Sequence, residues 1–191
     1  MRLLLLAGAL CSVAALATEP TPAALRRAFE NNRASLVRVT GPKRSGLGVM
    51  VGASGHVLTS VRHVGLEQAQ VEWEGAQHPA QVLVADAYQG IALVKISIEG
   101  TFRAAPVRLE DTVKRGQTVV AVRLTSRGPA PVVAVVRRRL SQRPGEFELE
   151  RPVQEGSPIF DAGGKLLGVA ISGRRVVPVS AVKQKLAANA G

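Results

Sequence analysis

The sequence predicts an all-β fold, a closed barrel or a sandwich, with one helix near each end of the chain. From Ser35 onward the apolar positions recur with a period of two and are rich in valine, isoleucine and leucine. Glycine or proline interrupts these runs at the spacing of short strands joined by turns. The 191 residues are enough for one compact domain or for two small barrels packed together.

The first 17 residues have the organisation of a secretory signal peptide. Arg2 precedes an apolar run over residues 3–16, and Ala15-Leu16-Ala17 offers a small-x-small cleavage site. The run is too short for a comfortable membrane span, which needs about 20 residues, and no later segment qualifies. Cleavage after Ala17 would remove Cys11, the only cysteine, and with it any thiol or disulfide chemistry. We therefore expect a secreted or periplasmic protein without a transmembrane span.

A short helix is expected within residues 18–34, ahead of the strands. Thr21 supplies a capping hydroxyl and Pro22 suits the first turn, and the apolar residues after them follow at helical spacing. The helix should end near Asn31-Asn32 because the period changes to two directly afterwards.

Two blocks of strands follow, over residues 35–100 and 101–191, with Gly100-Thr101 as the expected linker. Strands of the first block are predicted at 36–39, 46–51, 57–58, 71–73, 80–85 and 91–96. Strands of the second block are predicted at 118–124, 132–136, 147–149, 158–160 and 166–171. Asp161-Ala162-Gly163-Gly164 is a hairpin turn. Ser180–Leu186 has helical periodicity and suits a closing helix.

The chain is strongly basic, which is compatible with an anionic partner, although a solvated basic surface is the simpler interpretation. The formal net charge is +11, and its basic clusters are Arg26-Arg27, Lys43-Arg44, Arg137-Arg138-Arg139 and Arg174-Arg175. A surface of this charge attracts anionic molecules without identifying them. Nucleic acid is disfavoured because single-strand readers use aromatic platforms, and Phe, Tyr and Trp total only six.

The sequence predicts neither a metal site nor a cofactor. It has three histidines, and none is spaced with a cysteine or a carboxylate as in a zinc site. His56 and His78 stand beside Gly55 and Pro79, in turn-like contexts, and are expected to be exposed.

Three segments lie in the order, and at roughly the spacing, of the catalytic segments of a serine protease. They are Leu58–Val64, Asp86–Leu93 and Val153–Ile159. Further matches surround them at Gly46-Leu47-Gly48-Val49, Val57-Leu58-Thr59, Gly163–Val169 and Val177–Ser180. From about Leu36 to Leu186 the chain resembles a minimal trypsin-like serine peptidase domain of the bacterial HtrA type. The resemblance implies two packed antiparallel β-barrels, over residues 35–100 and 101–191, that together form one domain.

The resemblance also implies a catalytic triad, in which an aspartate orients the histidine and stabilises its cation. The family signature Asp-x-x-x-Asp-Ile-Ala-Leu-x-Lys stands here as Asp86-Ala87-Tyr88-Gln89-Gly90-Ile91-Ala92-Leu93-Val94-Lys95. Gly90 therefore occupies the place of the catalytic aspartate and offers no acceptor. Asp86 matches the other, non-catalytic aspartate and would substitute only if the backbone were displaced.

The nucleophile is absent in both alignments of the third segment. Counting back from Pro158 without a gap, the family's Gly-x-Ser-Gly-Gly-Pro places Glu155 where the serine belongs. With a gap in the loop, Ser157 replaces the small residue before the proline, and amides of the oxyanion hole are lost or moved. Two alternatives remain open: Ser157 as a relocated nucleophile beside His63, and Glu155 with His63 as a pair that activates water.

His63 is the expected equivalent of the catalytic histidine. Counting from Thr59, the family spacing Thr-x-x-His would select Arg62, because this chain has one residue more. Counting from downstream selects His63, because Val71 and Trp73 then fall at the family's strand spacing. We therefore expect His63 at this place, with a small bulge before it.

Three functions are compatible with this pattern, and the first is the prediction. It is an exported trypsin-like serine protease homologue without activity that binds a peptide, an unfolded protein or an envelope protein. Strand addition at a sheet edge uses backbone hydrogen bonds and does not need the triad. The second is a residual serine endopeptidase or hydrolase that uses His63 with Ser157. The third is an envelope protein that binds anionic surfaces through its arginine clusters. The sequence does not indicate an oligomeric state.

Overall fold

The computed structural model describes residues 19–110, 113–143 and 145–182. It contains two closed antiparallel β-barrels of six strands each, which confirms the expected all-β fold. The predicted signal peptide, with its cleavage site after Ala17 and with Cys11, lies outside the described residues. None of the helices in the described part is long and apolar enough to cross a membrane.

Helix α1 (Pro22–Asn32) precedes the strands, with the boundaries that the sequence predicts. Its cap is the expected one, since the hydroxyl of Thr21 accepts the amide of Ala24 at 3.2 Å. The apolar face of the helix is buried. The Nδ2 amide of Asn32 donates to the carbonyl of Gly164 at 2.8 Å, which ties the end of α1 to the second barrel.

The first barrel closes in the order β1-β2-β3-β6-β5-β4, and β4 pairs back with β1. Its strands are β1 (Leu36–Thr40), β2 (Ser45–Gly52), β3 (His56–Ser60), β4 (Gln68–Trp73), β5 (Ala76–Asp86) and β6 (Ile91–Ile96). Val39, Val57 and Val71 are fully buried inside it. Burial of each such side chain stabilises the fold by about 1.5 to 3 kcal/mol.

The second barrel closes in the order β10-β11-β12-β9-β8-β7. Its strands are β7 (Thr118–Thr125), β8 (Gly128–Arg139), β9 (Phe147–Leu149), β10 (Pro158–Phe160), β11 (Leu166–Ser172) and β12 (Arg175–Pro178). Phe147, Leu149 and Ile159 are fully buried inside it. The β10–β11 hairpin turns at Asp161–Gly164, as the sequence predicts.

The segment after β6 leads from one barrel to the other. Phe102 packs 4.8 Å from the Trp73 ring in the first barrel, and Val107 forms a bridge with Leu166 of the second. A shared apolar core joins the barrels. It includes Leu47, Val49, Leu58, Ile91 and Leu93 from the first and Val120, Val122, Phe160, Val169 and Ile171 from the second. This contact fixes the position of the groups that the two barrels present to each other.

The helix predicted over Ser180–Leu186 is described only in part. Val179–Val182 form a 3₁₀ turn, and the remaining residues, 183–186, lie outside the described residues. Val179 and Val182 are buried against the second barrel, so the described end of the chain packs where the sequence expected it.

Candidate functional site

His63 ends a 3₁₀ turn, Val61–His63, that follows β3 where the two barrels meet. Only 4% of the residue is exposed. Its imidazole lies between Gly46 of β2 and Gly156, which lies just ahead of β10. A Cβ atom at Gly156 would stand 2.6 Å from the ring carbon Cε1, and one at Gly46 would be closer still. The ring therefore occupies a slot whose walls are glycine backbone, one wall from each barrel.

The partner of His63 Nδ1 is a threonine and not a carboxylate. Oγ1 of Thr59 lies 3.1 Å from Nδ1, and the same hydroxyl donates to the carbonyl of Leu47 at 2.7 Å. Because its hydrogen is used there, Thr59 accepts at Nδ1, so Nδ1 carries the proton of the neutral ring and Nε2 is unprotonated. Burial lowers the pKa of His63, against the charge of Glu155, which raises it. The imidazole is therefore neutral at pH 7.

The aspartate segment forms the turn between β5 and β6. Gly90 has a φ of +81°, and a Cβ atom there would stand 3.1 Å from the side chain of Ile171 on β11. The carbonyl of Gly90 accepts the amide of Val61 at 3.0 Å. Asp86 ends β5, and its Oδ1 accepts the amide of Gln89 at 2.9 Å. The position that the sequence aligns with the aspartate of the triad is thus a turn glycine packed against an isoleucine.

Glu155 lies beside His63 and is held by two residues of the first barrel. The buried hydroxyl of Ser60 donates to Oε1 at 2.6 Å, and the guanidinium of Arg62 lies 3.6 Å from Oε2. The Ser60 oxygen also accepts the amide of Arg62 at 3.2 Å, so one hydroxyl joins the 3₁₀ turn to the carboxylate. The structure thus brings Glu155 and His63 together electrostatically, with both carboxylate oxygens engaged by other groups.

Ser157 is fully buried, and its hydroxyl donates to the carbonyl of Val122 on β7. Its amide donates to the carbonyl of Gln154 at 3.1 Å, while Oε1 of Gln154 accepts the amide of Leu124 at 2.7 Å. The bonds of Ser157 to Val122 and of Gln154 to Leu124 occupy backbone groups of β7 beyond the residues that pair with β10. The structure therefore pairs Ser157 with β7 and not with His63.

We call residues 153–157 the sealing loop, because it also covers the edge of β11. The amide of Gly156 donates to the carbonyl of Ala170 at 2.7 Å, and the amide of Ala170 donates back to the loop at 2.8 Å. The amide of Val153 donates to the carbonyl of Gly173 at 2.9 Å. This edge is therefore already paired within the chain, and strand addition by a peptide would have to displace the loop.

Sequence reasoning identified His63 and Glu155 but not their partners. Thr59 lies in β3 and His63 ends the 3₁₀ turn after it, so their contact depends on how the chain turns at the end of the strand. Ser60 and Arg62 match the pattern of a serine cap. The contact of Gln154 with β7 spans 30 positions and has no local signal.

The expectation that His56 is exposed is wrong. β3 begins at His56, so this residue lies in the sheet opposite Lys95, and only 3% of it is exposed. Its Nδ1 lies 3.0 Å from the hydroxyl of Ser54. His78 is half-buried beside the Trp73 ring, at 5.9 Å between centroids. Across residues 19–110, 113–143 and 145–182, no three His, Cys, Asp or Glu side chains converge as metal ligands would.

This fold, with a histidine between two six-stranded barrels, is the arrangement of trypsin-like proteases. The chain belongs to the trypsin-like peptidase domain family, whose model matches residues 46–169, from the strand that contacts His63 to β11. It is similar to the crystal structure of a serine endoprotease from Yersinia pestis, with 18% identity and a TM-score of 0.72. The match covers 89% of this chain and 67% of that one, and at this identity it establishes the fold alone. No curated protein matches the sequence.

Proposed function

We propose that this chain is an exported trypsin-like protein without catalytic activity that binds a peptide or a partner protein. The observation that carries the proposal is the sealing loop. It stands where the family carries its nucleophile, and it presents Glu155 beside His63 in place of a serine. The serine that it does contain, Ser157, is buried and bonded to β7.

The hydrogen-bond pattern supports inactivity at each step of acyl transfer. In a serine protease the nucleophilic hydroxyl yields its proton to the histidine, and Glu155 presents no hydroxyl there but a carboxylate that accepts from Ser60 and faces Arg62. The neutral oxygen of Thr59 lacks the negative charge with which an aspartate stabilises the imidazolium that forms. The amides of Gly156 and Ser157 are used within the protein, and the loss of one oxyanion donor alone typically costs a factor of about 10² to 10³.

The pairing of the β11 edge bears on how a partner would bind. Because Ala170 and Gly173 already bond to the sealing loop, strand addition at this edge is closed while the loop keeps its place. We therefore propose that binding uses side chains on the outer surface of the barrels. Partners recognised in this way require neither the slot around His63 nor movement of the loop.

Export is part of the proposal and rests on residues 1–17. Their basic start, apolar run and small-x-small site favour a signal peptide that is removed after Ala17. The mature protein would then work in the periplasm or outside the cell. Its stability would come from its apolar cores, since cleavage removes the cysteine.

A residual hydrolase is the second candidate, because the tautomer of His63 leaves Nε2 free to accept a proton. For this activity Ser157 would have to leave the Val122 carbonyl and reach the histidine. Glu155 with His63 is the other form of this candidate. In it the carboxylate would have to release the hydroxyl of Ser60 before it could activate water.

The test is to treat protein that begins at Thr18 with a fluorophosphonate probe and with unfolded casein, beside His63→Ala and Ser157→Ala variants. We expect neither labelling nor cleavage in any of the three, while trypsin reacts under the same conditions. Labelling and cleavage that both substitutions abolish would overturn the proposal in favour of a relocated serine. Cleavage that only His63→Ala abolishes would instead point to the Glu155 pair.

A further inference from the structure

Five arginines lie together on one side of the second barrel, and we call them the arginine face. They are Arg137, Arg138, Arg143, Arg174 and Arg175. Glu148 of β9 lies opposite both Arg138 of β8 and Arg175 of β12, and Arg137 stands in the bulge of β8 just before Arg138. Neighbouring strands are about 4.8 Å apart, so these positions lie within roughly 10 Å of one another.

Two glutamates neutralise only part of this charge. The carboxylate of Glu148 accepts from Arg138 at 2.8 and 3.3 Å. The buried carboxylate of Glu146 lies 2.8 Å from Arg175 and 3.8 Å from Arg143. With these two glutamates counted, the five arginines of the arginine face retain three positive charges.

Arg137 and Arg174 carry most of the unpaired charge. Both are exposed, and neither has a carboxylate at ion-pair distance within the part of the chain that the structure describes. The hydrogen bond from Arg138 lowers the pKa of Glu148, and the charges of Arg137 and Arg174 lower it further. Both arginines are exposed, and Arg137 stands in the bulge of β8 beside the Arg138–Glu148 pair, so both charges are accessible from solvent.

Tyr88 places an aromatic ring beside the arginine face. The residue is 75% exposed, and the guanidinium carbon of Arg143 lies 4.9 Å from its ring centroid. Nη2 of Arg175 reaches the carbonyls of Tyr88 and Gln89 at 3.4 and 3.1 Å. Since Tyr88 belongs to the turn between β5 and β6, the surface spans both barrels. It combines unpaired cations with one apolar contact.

The chemistry of this surface selects among anionic partners. Planar guanidinium groups match carboxylates in a bidentate manner, and a single ring accommodates one apolar side chain. Single-stranded nucleic acid would call for several stacking rings, and the arginine face has one beside it. A membrane surface would call for several apolar side chains that insert among lipids, and the arginine face presents no such row. An acidic peptide with an interspersed apolar residue fits best.

We propose that the arginine face, with Tyr88, binds an acidic peptide segment of a partner protein. The proposal rests on the proposed binding function and names its surface and its partner class. Acidic side chains pair with Arg137 and Arg174, and an apolar side chain packs on the ring of Tyr88. The contact lies outside the sealed cleft, so it leaves the loop and His63 in place.

The experiment measures fluorescence anisotropy of a labelled ten-residue peptide of alternating glutamate and leucine with protein that begins at Thr18. We expect Arg137→Ser with Arg174→Ser to weaken binding by about tenfold, because two ion pairs are lost. The matched control is Arg26→Ser with Arg27→Ser on α1, which removes the same charge from exposed positions and should change the affinity less than twofold. Tyr88→Ala should weaken binding of the glutamate–leucine peptide more than binding of a peptide of alternating glutamate and serine.

Equal losses in the two double variants would overturn the proposal, because the net charge alone would then explain binding. Tighter binding to a 20-residue oligothymidine or to phosphatidylglycerol vesicles, with the same dependence on Arg137 and Arg174, would overturn it in favour of those partners. Absence of peptide binding would overturn it while leaving the proposed inactivity intact. Labelling by fluorophosphonate is measured on the same samples, so failure of either proposal is recognised separately.

Discussion

The two walls of the slot around His63 come from different barrels, and they are held in different ways. The first barrel contributes Gly46 and Thr59 from paired strands, and these hold the imidazole as close packing requires. The second barrel contributes the sealing loop, which carries Gly156 against the ring and the carboxylate of Glu155 bonded to Ser60. The strand wall is fixed by the ladders of the first barrel, whereas the loop wall is fixed by single hydrogen bonds to β7 and β11.

This difference follows from where each wall lies. Residues of β2 and β3 pair with neighbours on both sides and pack into the shared core, so a change there costs stability directly. A loop between strands can be rebuilt if its backbone groups find new partners. The sealing loop has found them on β7 and β11, through Ser157 and Gly156. His63 is therefore packed between a wall of paired strands and a wall that is a loop held by its own hydrogen bonds.

The largest loss of folding stability is expected from Gly156→Ala. Its φ is +79°, and the added methyl group would stand 2.6 Å from the imidazole of His63 and from the carbonyl of Leu47. Strain and overpacking together should lower the free energy of unfolding by about 3 kcal/mol. The matched control is Gly116→Ala, with φ +80° and nothing within 4 Å, which should cost about 1 kcal/mol. Urea unfolding measures both, and equal costs would show that the loop does not press on the ring.

A smaller effect is expected from Gly46→Ala on the strand wall. The methyl group collides with the imidazole, which has little room to move, and should cost about 2 kcal/mol. In the background of His63→Ala the collision is absent, so the second substitution should cost well under 1 kcal/mol. A double-mutant cycle of urea unfolding gives the coupling. Additive costs would mean that the ring lies elsewhere.

The smallest expected effect is the dependence of folding stability on pH. Burial lowers the pKa of His63 below its ordinary value of 6.5, so between that lowered pKa and 6.5 the unfolded chain binds more protons than the folded one. Stability should therefore rise with pH through this window and fall as the pH drops below 6.5. His63→Gln should reduce that slope by at most about 1.4 kcal/mol per pH unit. An unchanged or steeper slope of the unfolding free energy between pH 5 and 7 would contradict the buried, neutral imidazole.

Much of the fold was predictable because its signals are local. The cap at Thr21 and the hairpin at Asp161–Gly164 were found from short patterns. The extents of β5 and β8 were underestimated because Pro79, Pro129 and Pro131 were interpreted as breaks. In the structure Pro131 lies opposite Val122. The carbonyl of Val122 points away from β8 and accepts from Ser157, so it does not need the N–H that Pro131 lacks.

The positions of the site could be read from the sequence, but the contacts of those positions could not. The family pattern marked Gly90 and Glu155 as departures, since each stands in a motif of known spacing, and this assignment stays a prediction. What surrounds them depends on contacts between distant positions, such as Ile171 against Gly90 and Ser60 with Glu155. Pairs of this kind are set by the packing of two barrels and leave no periodic signal in the sequence.

Amide hydrogen exchange of the sealing loop tests the central claim most directly, because the claim is that its amides are bonded within the protein. Gly156 and Ser157 donate to Ala170 and Gln154, and we predict that both exchange slowly, as do amides of paired strands. The reference is Gly173 in the exposed β11–β12 turn. If Gly156 and Ser157 exchange as fast as Gly173, the loop is open, its amides are available to an oxyanion, and the account of a sealed site is wrong.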